Sequence, residues 1–247
     1  MKLFVFLPAL AALLGGLGGC SFFYGERATV AGTLSLAPVT LDPVLAEDPG
    51  SQWVIAQLQR ALTRVDAQGG VEGDLSDGWS TDVSGKRYVF VLRPAQWSDG
   101  VSVKAQDFVY AWRRHLKHKS AISASLSDIE NPLGEGLRAA SDTRLEVQLK
   151  KADARFPAKL SSPLLGPLRE DVGHDKEAFS PLHLRCTGAY QPLSWKENEL
   201  VLVANSYAPQ APAVYRVDLS FGTDKKHGLW IDVLSPKTPM LRDLSAP

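Results

Sequence analysis

QWSDGVSVKAQDFVYAW, residues 96–112, compresses a strand end, a chain reversal and a helix into one short unit. Asp99-Gly100 is a turn pair, because glycine takes positive φ at no steric cost and aspartate bonds back to nearby backbone. A helix is predicted from Ala105 to about His118, with Phe108, Val109, Trp112 and Leu116 on one apolar stripe. Trp97 sits where it can cover an edge of the core. Asp107 falls in the first helical turn, where its charge meets unpaired backbone N–H groups. Lys104 occupies the position before that turn and offers no oxygen to cap it; Ser102 is the nearest alternative.

Working outward, RYVFVLR (87–93) precedes the unit and alternates Tyr88, Phe90 and Leu92 with Val89 and Val91. Both faces are apolar, which predicts a strand covered on both sides. TRLEVQLK (143–150) is a second strand, and GAYQPLSWKENELVLVANS (188–206) reads as a hairpin turning at KENE. YRVDLSF is read as the last strand, ahead of a tail with little periodicity. Near the start, AGTLSLAPVTLDP (31–43) predicts a strand through Leu34 and Leu36. DPGSQWVIAQLQRAL (48–62) then opens a helix capped by Asp48. Residues 64–80 are rich in glycine and read as turns, while 119–140 show little pattern. Irregularly mixed strands and helices favour an α+β fold.

Composition narrows the function. Apolar residues make up 45% of the 247, enough for a proper core. Lys plus Arg and Asp plus Glu each number 27, so no basic field exists to hold nucleic acid. There is no glycine-rich phosphate loop, G-x-S-x-G or H-E-x-x-H, and neither an enzyme nor a cofactor is expected. His115 and His118 lie in the cationic run RRHLKHK and read as a solvated helix end, with no third ligand to make a metal site. The carboxylates of EGDLSD lack the alternation of a calcium loop. Trp79, Trp97 and Trp112 read as core.

The first residues carry a different message. Lys2 precedes the apolar stretch LFVFLPALAALL (3–14), too short to span a bilayer, and LGGC follows at 17–20. This order resembles the bacterial lipobox, which implies a signal peptide over 1–19, cleavage before Cys20 and lipidation of that cysteine. Several acyl chains on one residue hold a protein stably to a membrane. Cys186 is then the only free thiol, read as a small buried hydrophobe.

Several quoted stretches together resemble a known family, the extracellular solute-binding proteins of family 5, with the oligopeptide-binding lipoproteins of ABC importers as nearest branch. QWSDGVSVKAQDFVYAW is similar to its W-S-D-G signature. TLDP (40–43), ALTRVDAQGGVEGDLSDGWS, YVFVLRPAQWSDG and CTGAYQPLSWKENELVLVANSYA resemble further segments in the family's order. Lys104 departs from the usual Thr or Ser.

The resemblance implies a periplasmic-binding-protein type II first lobe over 20–222, an inserted subdomain at about 50–155 and an irregular tail over 223–247. Nothing in that tail resembles the second lobe. It further implies peptides as ligands, an ABC permease as partner, and a location at the outer side of a membrane in the cell envelope. Glu47 matches an acidic cleft position, and reads equally as a solvated carboxylate. The tyrosine expected near SAISASLSD (120–128) is not there. A lobe that lacks its opposing half exposes apolar surface, which implies self-association. The competing reading is a non-transporting remnant, or an interaction protein that keeps the lobe without a full cleft.

Overall fold

The computed structural model describes residues 28–171, 176–223, 229–235 and 240–243. The chain enters through strand β1 (Thr29–Leu34) and helix α1 (Pro49–Leu58), then pairs β2 (Thr63–Val65) with β3 (Val71–Gly73). Strands β4 (Ser76–Thr81) and β5 (Arg87–Leu92), helix α2 (Ala105–His118), and strands β6 (Leu137–Ser141) and β7 (Arg144–Gln148) build an antiparallel sheet in the order β4-β5-β7-β6. After α3 (Phe156–Lys159) the chain returns as β8 (Tyr190–Lys196), β9 (Glu199–Ala204), β10 (Arg216–Phe221) and β11 (Leu229–Ile231). These join β1 in a mixed five-stranded sheet, order β11-β1-β10-β9-β8, with β1 parallel to both neighbours. The architecture is α+β.

Each of the two larger sheets has its own core. Phe90, Trp97, Phe108, Trp112, Leu145 and Phe156 pack between the four-stranded sheet and α2. Leu34, Val54, Leu58, Tyr190, Leu202 and Leu219 pack between the five-stranded sheet and α1. Among the described residues no helix is long and apolar enough to cross a membrane.

The opening stretch is the clasp between these two cores. Trp97 is buried and its indole N–H donates to Asp107 Oδ2 at 3.2 Å, while the Lys104 amide donates to the same oxygen at 2.9 Å. Asp107 thus secures the helix start. Neither the Lys104 side chain, which pairs with Asp142, nor Ser102, which bridges to Gln96, takes that role. Ser98 exchanges two bonds with Cys186, amide to carbonyl at 2.9 Å and Cys186 amide to Ser98 Oγ at 3.1 Å. Asp99 Oδ2 accepts from Arg169 at 2.6 Å and Arg185 at 3.0 Å. Gly100 has φ +84°, and a Cβ there would stand 2.9 Å from the Tyr207 hydroxyl. One tetrapeptide therefore meets three returning segments, at Arg169, Arg185–Cys186 and Tyr207, of which the second belongs to the other core.

Several expectations are corrected. The first strand runs over 29–34, not through Leu36; the chain turns beyond it because Gly50 packs against the Leu36 and Ala37 carbonyls. α1 is capped by Asp48, whose Oδ1 accepts from the Ser51 amide at 2.7 Å, but it ends at Leu58. Thr187 and Gly188 amides take the Leu58 carbonyl at 3.1 and 2.8 Å, and Leu62 joins the other core. The glycine-rich 64–80 stretch forms β2, β3 and β4, whose first two strands are too short for alternation to show.

β5 is covered on one face only: Val91 is 47% exposed. Its outer face is polar because Arg87, Arg138 and Arg144 converge there on Glu146. Burial pushes the Glu146 carboxyl up, and the bonds from Arg87, Arg144 and Arg138 outweigh it, holding it at about 2. Within the stretch read as an irregular tail, β11 pairs with β1, and the buried Leu241 donates its amide to Gln57 Oε1 at 3.0 Å. β10 is therefore not the last strand.

Candidate functional site

The loop between β1 and α1 is pinned from below. Asp42, from the TLDP segment, accepts the Val44 amide at 3.0 Å, and its own amide donates to Thr40 Oγ1. The Val39 and Thr40 amides both donate to Ser51 Oγ in the first turn of α1. Asp42 then forms a two-pronged pair with Arg114 of α2, 2.6 Å on each prong, with both side chains under 10% exposed. The Arg114 guanidinium also lies 4.9 Å from the centre of the Phe179 ring. Fork-on-fork geometry fixes orientation as well as distance.

Pinned this way, the loop forms one side of a pocket of about 300 Å³, lined by Pro43, Val44, Ala46, Gln52, Ser120, Ala121, Ile122, Ser162 and Leu164. Two stretches far apart in sequence, 43–52 and 120–122, thus face one space. The second is the stretch where a tyrosine was expected; small side chains and Ile122 stand there. Glu47 follows Ala46, is exposed and is not among the lining residues. Its carbonyl, like that of Ala46, accepts from Gln52 Nε2 at 3.3 Å. Leu36, Val39 and Leu45 of the same loop are 39%, 77% and 52% exposed. Cys20 lies outside the described residues.

Beneath the pocket lies His115, and here the solvated-helix-end reading fails: the residue is 0% exposed. Its ring nitrogens lie 2.7 Å from Ser120 Oγ and 2.9 Å from the Leu164 carbonyl. A carbonyl only accepts, so Nε2 carries the proton and donates to Leu164, while neutral Nδ1 accepts from the Ser120 hydroxyl. Burial is the main cause that lowers the His115 pKa to about 4; the Leu164 carbonyl and Asp42 act the other way. His115 falls seven residues after Phe108 and three after Trp112, so helical spacing alone places it on the buried stripe. That signal was in the sequence. The burial of Arg114 was not, since its partner is 72 residues away.

Cys186 is buried and its thiol pKa is raised by desolvation, as a small hydrophobe requires. Trp97 and Trp112 are core residues, and Trp79, partly buried, packs against the same core beside Phe90. Among the described residues no group of three His, Cys, Asp or Glu stands close enough to hold a metal ion.

A mixed five-stranded sheet and a four-stranded antiparallel sheet, with the β1–α1 loop buttressed against α2, have the fold of a solute-binding-protein lobe. The family described as bacterial extracellular solute-binding proteins, family 5 Middle, matches residues 70–227, and the chain belongs to it. The probable deoxycholate-binding periplasmic protein YgiS of Escherichia coli is 30% identical over 184 residues, covering 66% of this chain and 34% of the relative. The chain thus spans about a third of the length of that curated relative.

Solved structures agree on the fold. The Escherichia coli murein tripeptide binding protein MppA superposes with TM-score 0.72 at 26% identity, over 80% of this chain and 42% of that one. Listeria monocytogenes OppA, bound to peptide, gives TM-score 0.73 at 22% identity over 79% and 43%.

Proposed function

We propose that the pocket wall formed by Pro43–Ala46 and Ser120–Ile122 is the first-lobe side of a peptide-binding cleft, in a binding protein that serves an ABC importer. One observation carries this reading. The β1–α1 loop, which carries Glu47 just outside the lining, and the 120–122 stretch face one pocket, and the Asp42–Arg114 pair pins that loop from below. Peptide recognition elsewhere in the fold family, in MppA and peptide-bound OppA, supports the ligand class. Backbone bonding to an extended peptide supplies affinity with little side-chain preference.

The test is calorimetry of the chain lacking residues 1–19 against a mixed tri- to pentapeptide pool, with deoxycholate titrated in parallel. A wall seen from one side buries only part of a ligand, so the expected affinity is weak, about millimolar. Glu47→Gln is expected to weaken binding of peptides with free amino termini about two- to fivefold, the scale of an exposed charge pair. No heat with peptides at millimolar concentration rejects the reading; heat with deoxycholate alone redirects it to amphipathic acids. Heat that Glu47→Gln leaves unchanged removes Glu47 from the site.

The same reading places the protein on the outer side of a membrane in the cell envelope, held there by acylated Cys20. The motivation is the ordered n-region, apolar stretch and LGGC. Metabolic labelling with palmitate is expected to mark the wild type and not Cys20→Ser; equal labelling of both would refute it. The exposed Leu36, Val39 and Leu45 beside the pocket favour concentration-dependent self-association of the isolated chain. Sedimentation as a monomer across the concentration range would remove that part.

A further inference from the structure

We propose that His115 is an acid-responsive latch that holds the Ser120–Ile122 wall of the pocket at neutral pH and releases it in acid. The inference deepens the proposed binding site and rests on that reading for its ligand consequence; the latch itself stands on geometry. The imidazole sits on the buried stripe of α2 and is closed to solvent. Both of its polar atoms are spent on residues that line the pocket, Ser120 and Leu164. The turn that brings Ser120 back over the ring also carries a cost: Lys119 has φ 51°, ψ 43°, a left-handed conformation unfavourable for a non-glycine residue. Ser120 is held there by its amide on the His115 carbonyl, 3.2 Å, and by its hydroxyl on the ring, 2.7 Å.

Protonating Nδ1 puts a charge where, among the described residues, no free counter-charge faces the ring. The charged or titratable groups facing the ring are Asp42 from the β1–α1 loop and Arg114 and His118 from α2. Asp42 is already committed to Arg114 on both oxygens. The segments contributing Ser120–Ile122 and Pro163–Leu165 carry no charged side chain. The Ser120 hydroxyl can rotate to accept from the imidazolium, so loss of one bond does not drive release. Desolvation of the charge does: the imidazolium reaches water most directly if the Ser120 wall swings out.

The sign follows from linkage. The closed state holds a His115 whose pKa is depressed to about 4 from an ordinary 6.5, so the opened, hydrated state binds more protons between those values. The closed wall is favoured above pH 6.5 and loses ground as pH falls toward 4. Its opening constant is expected to rise about tenfold per pH unit across that window.

Hydrogen exchange of the chain lacking residues 1–19, from pH 7 to 4 and corrected for the intrinsic pH dependence of exchange, tests this. Protection over 119–126 is expected to fall in the wild type and in His118→Gln, and to stay flat in His115→Gln, while β5 keeps its protection. A flat wild-type profile, or the same fall in His115→Gln, overturns the latch. Should His115→Gln fail to fold, the wild-type imidazole is titrated by NMR. A midpoint near 4 shared with the Ser120–Ile122 amides supports the latch, and a midpoint near 6.5 refutes it. Peptide titration at pH 7 and 4.5 is the separate arm. Absence of binding at both defeats the peptide reading and leaves the latch to be judged by exchange alone.

Discussion

Arg114→Met is expected to destabilise the chain by about 3–5 kcal/mol, because it strands the Asp42 carboxylate in a site almost closed to water. Asp42 and Arg114 are 5% and 9% exposed, and the two prongs between them are 2.6 Å each. Methionine replaces the stem of arginine and neutralises nothing. Asp42 Oδ1 still accepts the Val44 amide, so the turn is not lost outright, but both carboxylate oxygens lose their cation and Oδ2 loses its guanidinium donor.

Asp42→Asn combined with Arg114→Met is expected to recover most of the loss. Asparagine keeps an acceptor for Val44 and leaves no buried charge. Urea midpoints of the wild type, both single variants and the double variant measure the coupling. A single Arg114→Met variant within about 1 kcal/mol of the wild type would show that the pair is solvated in practice. The functional corollary is local. Val44 and Ala46 line the pocket, so losing the pin beneath them loosens that wall before it unfolds the lobe.

Trp112→Ala is the second large expected effect, about 3–5 kcal/mol. The indole is 0% exposed, meets Phe108 edge-on with ring centres 6.0 Å apart, and donates its N–H to the Leu165 carbonyl at 2.9 Å. Alanine removes the largest side chain of α2 and leaves a void between the helix and the segment that follows α3. Trp112→Phe separates the two contributions. It refills most of the volume and orphans the Leu165 carbonyl, for an expected loss of about 1–3 kcal/mol. Thermal or urea unfolding reads both. Equal losses for the two variants would assign the effect to the hydrogen bond rather than to packing.

The same residues show what a sequence exposes and what it hides. α2 was legible to its ends because fourteen residues give an apolar stripe time to repeat. The β8–β9 hairpin was legible because Leu200 and Leu202 alternate up to a two-residue reversal at Glu197-Asn198. β2 and β3, three residues each, offer no period to read, and their glycines signal turns more loudly than strands. β5 was misread on one face because Val89 and Val91 look like core. Only the tertiary arrangement shows that three arginines and Glu146 occupy that side.

The site was half legible. Resemblance pointed to Glu47 and to a tyrosine near 120–128; the tyrosine is absent and Glu47 stands outside the lining, while their neighbours Pro43–Ala46 and Ser120–Ile122 share one pocket. The groups that hold them there, Asp42, Arg114 and His115, are polar side chains made buried by partners distant in sequence. Composition assigns such residues to the surface, and only the partner overturns that assignment. His115 is the instructive case: its cationic neighbours argued for water, while its spacing from Trp112 argued for the core, and spacing prevailed.

The central claim is that peptides are received on the wall shared by residues 43–52 and 120–122. Amide chemical-shift mapping of the chain lacking residues 1–19, titrated with a tripeptide to millimolar concentration, tests it most directly. The account predicts shifts concentrated at Val44, Ala46, Gln52 and Ser120–Ile122, fading away from that pocket. Saturable shifts confined to the outer face of the four-stranded sheet, or none at all, would contradict it.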